Sequence, residues 1–252
     1  MAALYITSSE KGSGKTAICA GLGKQLFTKG KKVGFFKPVT AAAGSTATGD
    51  TDAEFMKDLL FLAEPTDLIR PVISTGNNLS AGIKEAYAKV AQGKDIVIIE
   101  GSSEQYPLTR DIATALNAKV LVVEAYSKEL LKSVDSYKAL GQSLLGVILN
   151  KVPVTRIEQA RTEAAARLAK VGVNLLGVLP EDRSLIALTV GELAQSIQGE
   201  ILNDADKSSE LVENIMLGAL GLDPGPDYFG RKTNKAVVLK GERPDLALAA
   251  LQ

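Results

Sequence analysis

The chain has 252 residues, 46% of them hydrophobic, and its 29 basic and 29 acidic side chains balance to a formal charge of zero. That length suits one large domain or a domain with a small appendage, and the balance leaves no electrostatic footprint for nucleic acid or an anionic membrane. Histidine is absent and Cys19 is the single cysteine, which excludes Ser-His-Asp and Cys-His nucleophilic sites, histidine zinc sites and an intramolecular disulfide.

Acid–base chemistry therefore falls to carboxylates, lysines, water or a substrate. Oxygen ligands for a hard cation such as Mg2+ remain. No apolar run reaches the ~20 residues of a membrane span, and the N-terminus enters a strand directly, so a cytoplasmic location is expected.

The first strand, residues 4–7, runs into Ser8-Ser9-Glu10-Lys11-Gly12-Ser13-Gly14-Lys15-Thr16, and a helical pattern follows over 15–29. Strand, Gly-rich loop closing on Gly-Lys-Thr, then helix is the context of a phosphate loop. The helix start offers unpaired N–H groups and the positive dipole end to an anion. The expected contacts are Glu10, Lys11, Gly12, Ser13, Gly14, Lys15, Thr16 and Ala17. Lys15 would reach the terminal phosphates, and the Thr16 hydroxyl would help hold Mg2+. Ser9 stands where the usual pattern has glycine, and is compatible with it if its φ stays negative. Cys19, one turn on, reads as a small buried core residue.

Further strands are predicted at 32–36, 95–100, 119–124, 144–150 and 174–179. Helices are predicted at 51–62, 81–92, 108–117, 128–140 and 155–171. The uninterrupted apolar runs at 96–99 and 120–123 fit strands buried on both faces of a parallel sheet. Strands alternating with helices predict an α/β fold, a three-layer doubly wound, mostly parallel sheet of the phosphate-loop NTPase type. Residues 1–202 would form this domain. The polar stretch 203–209 reads as a linker, followed by a short helix at 210–220, a turn-rich segment at 222–230, a strand at 236–239 and a helix at 244–251. This is a short C-terminal extension, too small for an independent core.

Ligands of such sheets lie beyond the carboxyl ends of the strands. That rim collects Lys37, Glu100 and Asn150 beside the phosphate loop. Glu100 ends an apolar strand and is a candidate Mg2+ ligand. Asp50 and Asp52 open the next helix; one would cap it, and Asp52 could instead face the metal. Pro38 holds Lys37 at its strand end, where a lysine can neutralise a carboxylate or a transferring phosphoryl group, and Lys11 could also stabilise γ-phosphate charge. The Asn150 amide can both donate to and accept from an adenine edge, and Pro180, in Leu179-Pro180-Glu181, would form the other wall of a base pocket.

Gly12–Thr16, Phe36-Lys37-Pro38-Val39, Glu100-Gly101 and the run Gly146-Val147-Ile148-Leu149-Asn150-Lys151 together resemble the dethiobiotin synthetase-like branch of phosphate-loop NTPases, over about residues 1–200. The resemblance implies ATP and Mg2+ as cofactors, Lys15, Thr16, Asp52 and Glu100 at the phosphates and metal, Lys37 as a catalytic lysine, Asn150 as an adenine contact, and a homodimer; with the residue reading, the candidate catalytic lysines are Lys11, Lys15 and Lys37. The signature lysine of partitioning-type ATPases would fall on Glu10, which is not that subclass by motif.

Asp52-Ala53-Glu54-Phe55, Pro180-Glu181-Asp182-Arg183 and Gly241-Glu242-Arg243-Pro244-Asp245 are similar to the phosphotransacetylase-like group, in which a DRTGG domain follows. Residues 203–252 would then be a linker and the beginning of that domain. The stretches Thr40-Ala41-Ala42-Ala43 and Gly101-Ser102-Ser103-Glu104 depart from dethiobiotin synthetases where the substrate should sit. The expected function is thus an Mg2+·ATP-binding protein with a regulatory role or weak ATPase activity. The alternative is an ATP-dependent ligase that activates a small carboxylate or carbamate by phosphorylation.

Overall fold

Runs such as Ile96-Val97-Ile98-Ile99 carry no polar alternation because both of their faces are covered. In the computed structural model, which describes residues 1–41, 51–74, 79–101, 106–127, 134–218 and 226–251, such runs form a six-stranded parallel sheet.

The first compact unit spans Met1–Glu181. In chain order its elements are β1 (Ala2–Thr7), α1 (Lys15–Thr28), β2 (Val33–Phe36), β3 (Val39–Ala41), α2 (Asp52–Leu60), α3 (Thr66–Ile69), β4 (Val72–Ser74), α4 (Leu79–Val90), β5 (Ile96–Glu100), α5 (Tyr106–Ala115), β6 (Lys119–Ala125), β7 (Leu144–Val152), α6 (Ile157–Ala169) and β8 (Leu175–Pro180). The sheet order is β2-β5-β1-β6-β7-β8. All six strands were predicted, within two residues at each end.

Alternate residues of each strand enter opposite cores. Val97 and Ile99 join Tyr5, Val120, Val122 and the inner faces of α4, α5 and α6, whereas Ile98 joins Ile6, Phe35, Leu121, Val123 and the inner faces of α1 and α2. This period of two in a parallel sheet produces the three layers. Cys19 is fully buried in the second core, as expected of it.

Two local expectations change. Residues 134–143 form a 3-10 segment rather than the end of an α-helix, and Gly141 (φ 54°, ψ −138°) breaks it; the start of that predicted helix, 128–133, lies outside the described residues. The short pair β3 and β4 was not anticipated; the two strands run parallel to each other outside the main sheet.

The second unit spans Asp182–Gln252. The division therefore falls at residue 182, ahead of the polar stretch that suggested a linker. It contains β9 (Leu188–Thr189), α7 (Val190–Ser196), β10 (Leu211–Val212), β11 (Asn214–Gly218), α8 (Pro226–Phe229), β12 (Lys235–Leu239) and α9 (Pro244–Leu251). Thr189 and Glu192 form a reciprocal capping box on α7.

Over its described residues, 210–218, the helix predicted at 210–220 is replaced by two strands, with β10 antiparallel to β9 and β11 parallel to β12. Ile215 and Leu217 face outward, and Met216 packs against the small core of Phe229, Leu246 and Ala249. The predicted strand and final helix are present, while residues 219–225, which include the first part (222–225) of the turn-rich segment, lie outside the described residues.

Candidate functional site

β1 is central in the sheet, with β5 on one side and β6 on the other. The chain leaves β1 for the β2 side and later returns to the β6 side, so the loop after Thr7 lies where the winding reverses, the usual ligand position of an open α/β sheet. Gly12 (φ 73°) and Gly14 (φ 94°) both occupy the left-handed region, which turns the backbone from strand to helix without a Cβ penalty.

A side chain at Gly14 would also collide with the Asn150 amide. Asn150, on β7, reaches across the sheet end and donates from Nδ2 to the Ser13 carbonyl at 2.9 Å. Its amide therefore fastens the loop in this structure.

Lys15 donates from Nζ to Ser8 Oγ at 2.9 Å, and Ser8 Oγ in turn donates to the Glu10 carbonyl at 2.6 Å. Burial lowers the Lys15 ammonium below the usual lysine range, partly offset by the Glu100 charge. The hydroxyl of Thr16 donates to Glu100 Oε1 at 2.9 Å and lies 3.3 Å from Asp52 Oδ2. Lys37, just past β2, bridges the two carboxylates, with Nζ 2.5 Å from Asp52 Oδ2 and 3.4 Å from Glu100 Oε1.

Glu100 is only 4% exposed, and its Oε2 has no hydrogen-bond partner among the described residues. Burial raises its carboxyl above the ordinary range; the Lys37 charge and the Thr16 hydrogen bond oppose that shift. Ser13 Oγ, inside the loop, is a second buried atom without a partner among the described residues. An orphaned buried acceptor is costly, and two of them at one loop mark where polar ligands would be received.

The donor set of Glu100, Asp52 and the Thr16 hydroxyl is all oxygen and fits Mg2+. Among the described residues no group of three or more His, Cys, Asp or Glu could hold a metal by itself. Two carboxylates and a hydroxyl suit an ion that keeps waters and phosphate oxygens as its remaining ligands.

The structure thus brings together Lys15, Thr16, Lys37, Asp52 and Glu100, with Asn150 fixed to Ser13. Glu10, Lys11 and Gly12 are exposed in the loop, and Ala17 is exposed on α1. Pro180 is exposed at the end of β8, where it pairs with Val152. Asp50 and Ser102–Glu104 lie outside the described residues.

One residue of the loop's surroundings escaped the sequence reading. Glu124, near the end of β6, accepts from Ser9 N at 3.2 Å, from Ser9 Oγ at 2.5 Å and from Tyr137 OH at 2.8 Å. Its signal was available, since an acid closing the apolar run Val120-Leu121-Val122-Val123 mirrors Glu100 after its own run.

The winding, the left-handed loop glycines and the lysine, threonine and acid behind them define a phosphate-loop NTPase fold. A family model described as an AAA domain, AAA_26, matches residues 2–189, and the chain belongs to that family. Its relatives include phosphate acetyltransferases of Nitrosomonas europaea (25% identical, covering 99% of this chain and 39% of that protein) and of Pseudomonas aeruginosa (27% identical, covering 99% and 40%). The chain therefore spans about two fifths of the length of these curated relatives.

Among solved structures, the MinD cell division protein of Aquifex aeolicus is similar in fold, with 14% identity, a TM-score of 0.50 and coverage of 74% of this chain and 85% of that one. No helix among the described residues is long and apolar enough to cross a membrane.

Proposed function

We propose that this chain binds Mg2+·ATP at the loop of residues 8–16 and serves a regulatory role with weak or no turnover. The observation that carries the reading is the buried, unpartnered Glu100 Oε2 beside the Thr16 hydroxyl and Asp52. A bound Mg2+ would supply charge neutralisation to the β- and γ-phosphates, with Thr16, Asp52 and Glu100 holding it directly or through water. Lys15 would leave Ser8 for the phosphate oxygens, and the start of α1 would add its dipole. Asn150 and Pro180 would border the base, and the pair of protomers expected from the family resemblance would be a homodimer.

The relatives named as phosphate acetyltransferases make acyl phosphate metabolism the process such a module would serve. Titration calorimetry tests the reading. Wild type should give saturable heat with Mg2+·ATP, Lys15→Ala should give none, and absence of heat from both proteins would sink it.

A second reading, resembling dethiobiotin synthetase, is an ATP-dependent ligase that phosphorylates a carboxylate or carbamate. It is favoured by the placement of Lys37 against both metal-side carboxylates, where an ammonium would stabilise charge on a transferring phosphoryl group. Phosphate release that depends on a carboxylate substrate and is lost in Lys37→Ala would support it. Release unchanged across a panel including diaminononanoate would count against it.

A further inference from the structure

We propose that Glu124 is a positioning residue that presets the phosphate loop by holding its first residue, Ser9. The two strands flanking β1 both carry an acid near their carboxyl ends, Glu100 on β5 and Glu124 on β6, and the two acids are used differently. Glu100 keeps an open oxygen toward the metal side. Glu124, 6% exposed, spends both oxygens on protein donors, with Oε1 accepting from Ser9 N and Tyr137 OH and Oε2 accepting from Ser9 Oγ.

Ser9 is where the common loop pattern carries glycine, which could offer only its N–H to such an acceptor. The departure from the pattern therefore creates the second bond to the carboxylate. Tyr137 lies in the 3-10 segment that leads into β7, is fully buried, and orients the carboxylate from the far side. Ser8 and Lys15 are then linked in series, since Lys15 rests on Ser8 Oγ. The loop is thus tied on the β6 side by Glu124 and on the β7 side by Asn150, leaving its β5 side to the metal ligands.

The part of this inference that concerns affinity rests on the reading of the loop as a nucleotide site; the part that concerns loop order does not. Amide hydrogen exchange of the nucleotide-free full chain tests the latter. Glu124→Ala should speed exchange over residues 8–14 by roughly tenfold or more, the scale expected when charge-assisted hydrogen bonds are lost, while amides of β7 and α6 keep wild-type rates. Uniformly faster exchange across the sheet would mean a merely structural role and would overturn the proposal.

Ser9→Ala, which loses the hydroxyl bond and keeps the backbone N–H bond, should speed exchange over the same residues by less, and the double variant should be no faster than Glu124→Ala, because loss of the carboxylate already removes both bonds. Additive effects would also overturn it. Glu124→Gln, which keeps the shape but replaces one acceptor oxygen by a donor, should fall between wild type and Ala, and it decides the matter if the alanine variant does not fold. In calorimetry, Glu124→Ala should weaken Mg2+·ATP binding by at least tenfold. Wild type without heat would fail the proposed function alone, whereas intact affinity with unchanged loop exchange would fail this inference alone.

Discussion

Lys37→Met is the most searching perturbation of the site, because it removes a cation in contact with both carboxylates. Glu100 has a side chain 5% exposed and Lys37 one 16% exposed, while Asp52 is 37% exposed. Breaking a fully buried pair costs about 3–5 kcal/mol, and losing an exposed one about 0–1. Glu100 sits near the first limit and Asp52 near the second, so a loss of about 2 kcal/mol is expected for the metal-free protein.

The pH dependence carries a sign. Burial already raises the Glu100 carboxyl, and the Lys37 charge is the leading influence against it, so the variant's carboxyl rises further. A raised carboxyl binds its proton more readily in the folded than in the unfolded state. Its favourable contribution is then complete below the unfolded value and fades as pH climbs through the folded one. Urea denaturation without divalent ions should show a wild-type-to-variant gap that is wide near pH 8 and narrower near pH 5. Added Mg2+ should recover part of the loss. A gap independent of pH, or wider in acid, would refute the reasoning.

Gly14→Ala should cost about 1–2 kcal/mol for the left-handed backbone alone, and displacing the Asn150 amide from Ser13 should add about 1; a melting temperature and Mg2+·ATP heat both equal to wild type would contradict this. The Tyr5 phenol, pushed up to about 12 by burial against a smaller opposing hydrogen bond with Thr109, should titrate late in an alkaline ultraviolet titration of the folded chain. Tyr5→Phe should remove that late component, and an unchanged titration curve would show the phenol to be accessible.

The sheet was legible because strands covered on both faces are written as unbroken apolar runs, and such a run has few other places to go. The grouping of Thr16 with Glu100 was legible because Gly-Lys-Thr and a strand-end acid carry chemistry in their residue types. The 210–220 segment misled because five apolar residues in eight fit either period, and only the packing of Met216 against Phe229 and α9 selects the strand.

Asn150 was placed on the rim beside the loop and read for its amide, but nothing in a one-dimensional pattern shows that the amide reaches the Ser13 carbonyl. Glu124 was passed over for a related reason. Its partners lie 115 residues back and 13 residues on, and no local spacing announces them.

The central place of β1 also governs when the site can exist. Its register partners are Ile96 to Glu100 on one side and Lys119 to Val122 on the other. During synthesis at about 5–20 residues per second, β1 must wait roughly 5–20 s after it is made for its first neighbour. Its loop, made before Asp52, Glu100 and Asn150, thus acquires its surroundings late. Until then an apolar hexapeptide with both edges unpaired is left to whatever nascent-chain binding factors hold it.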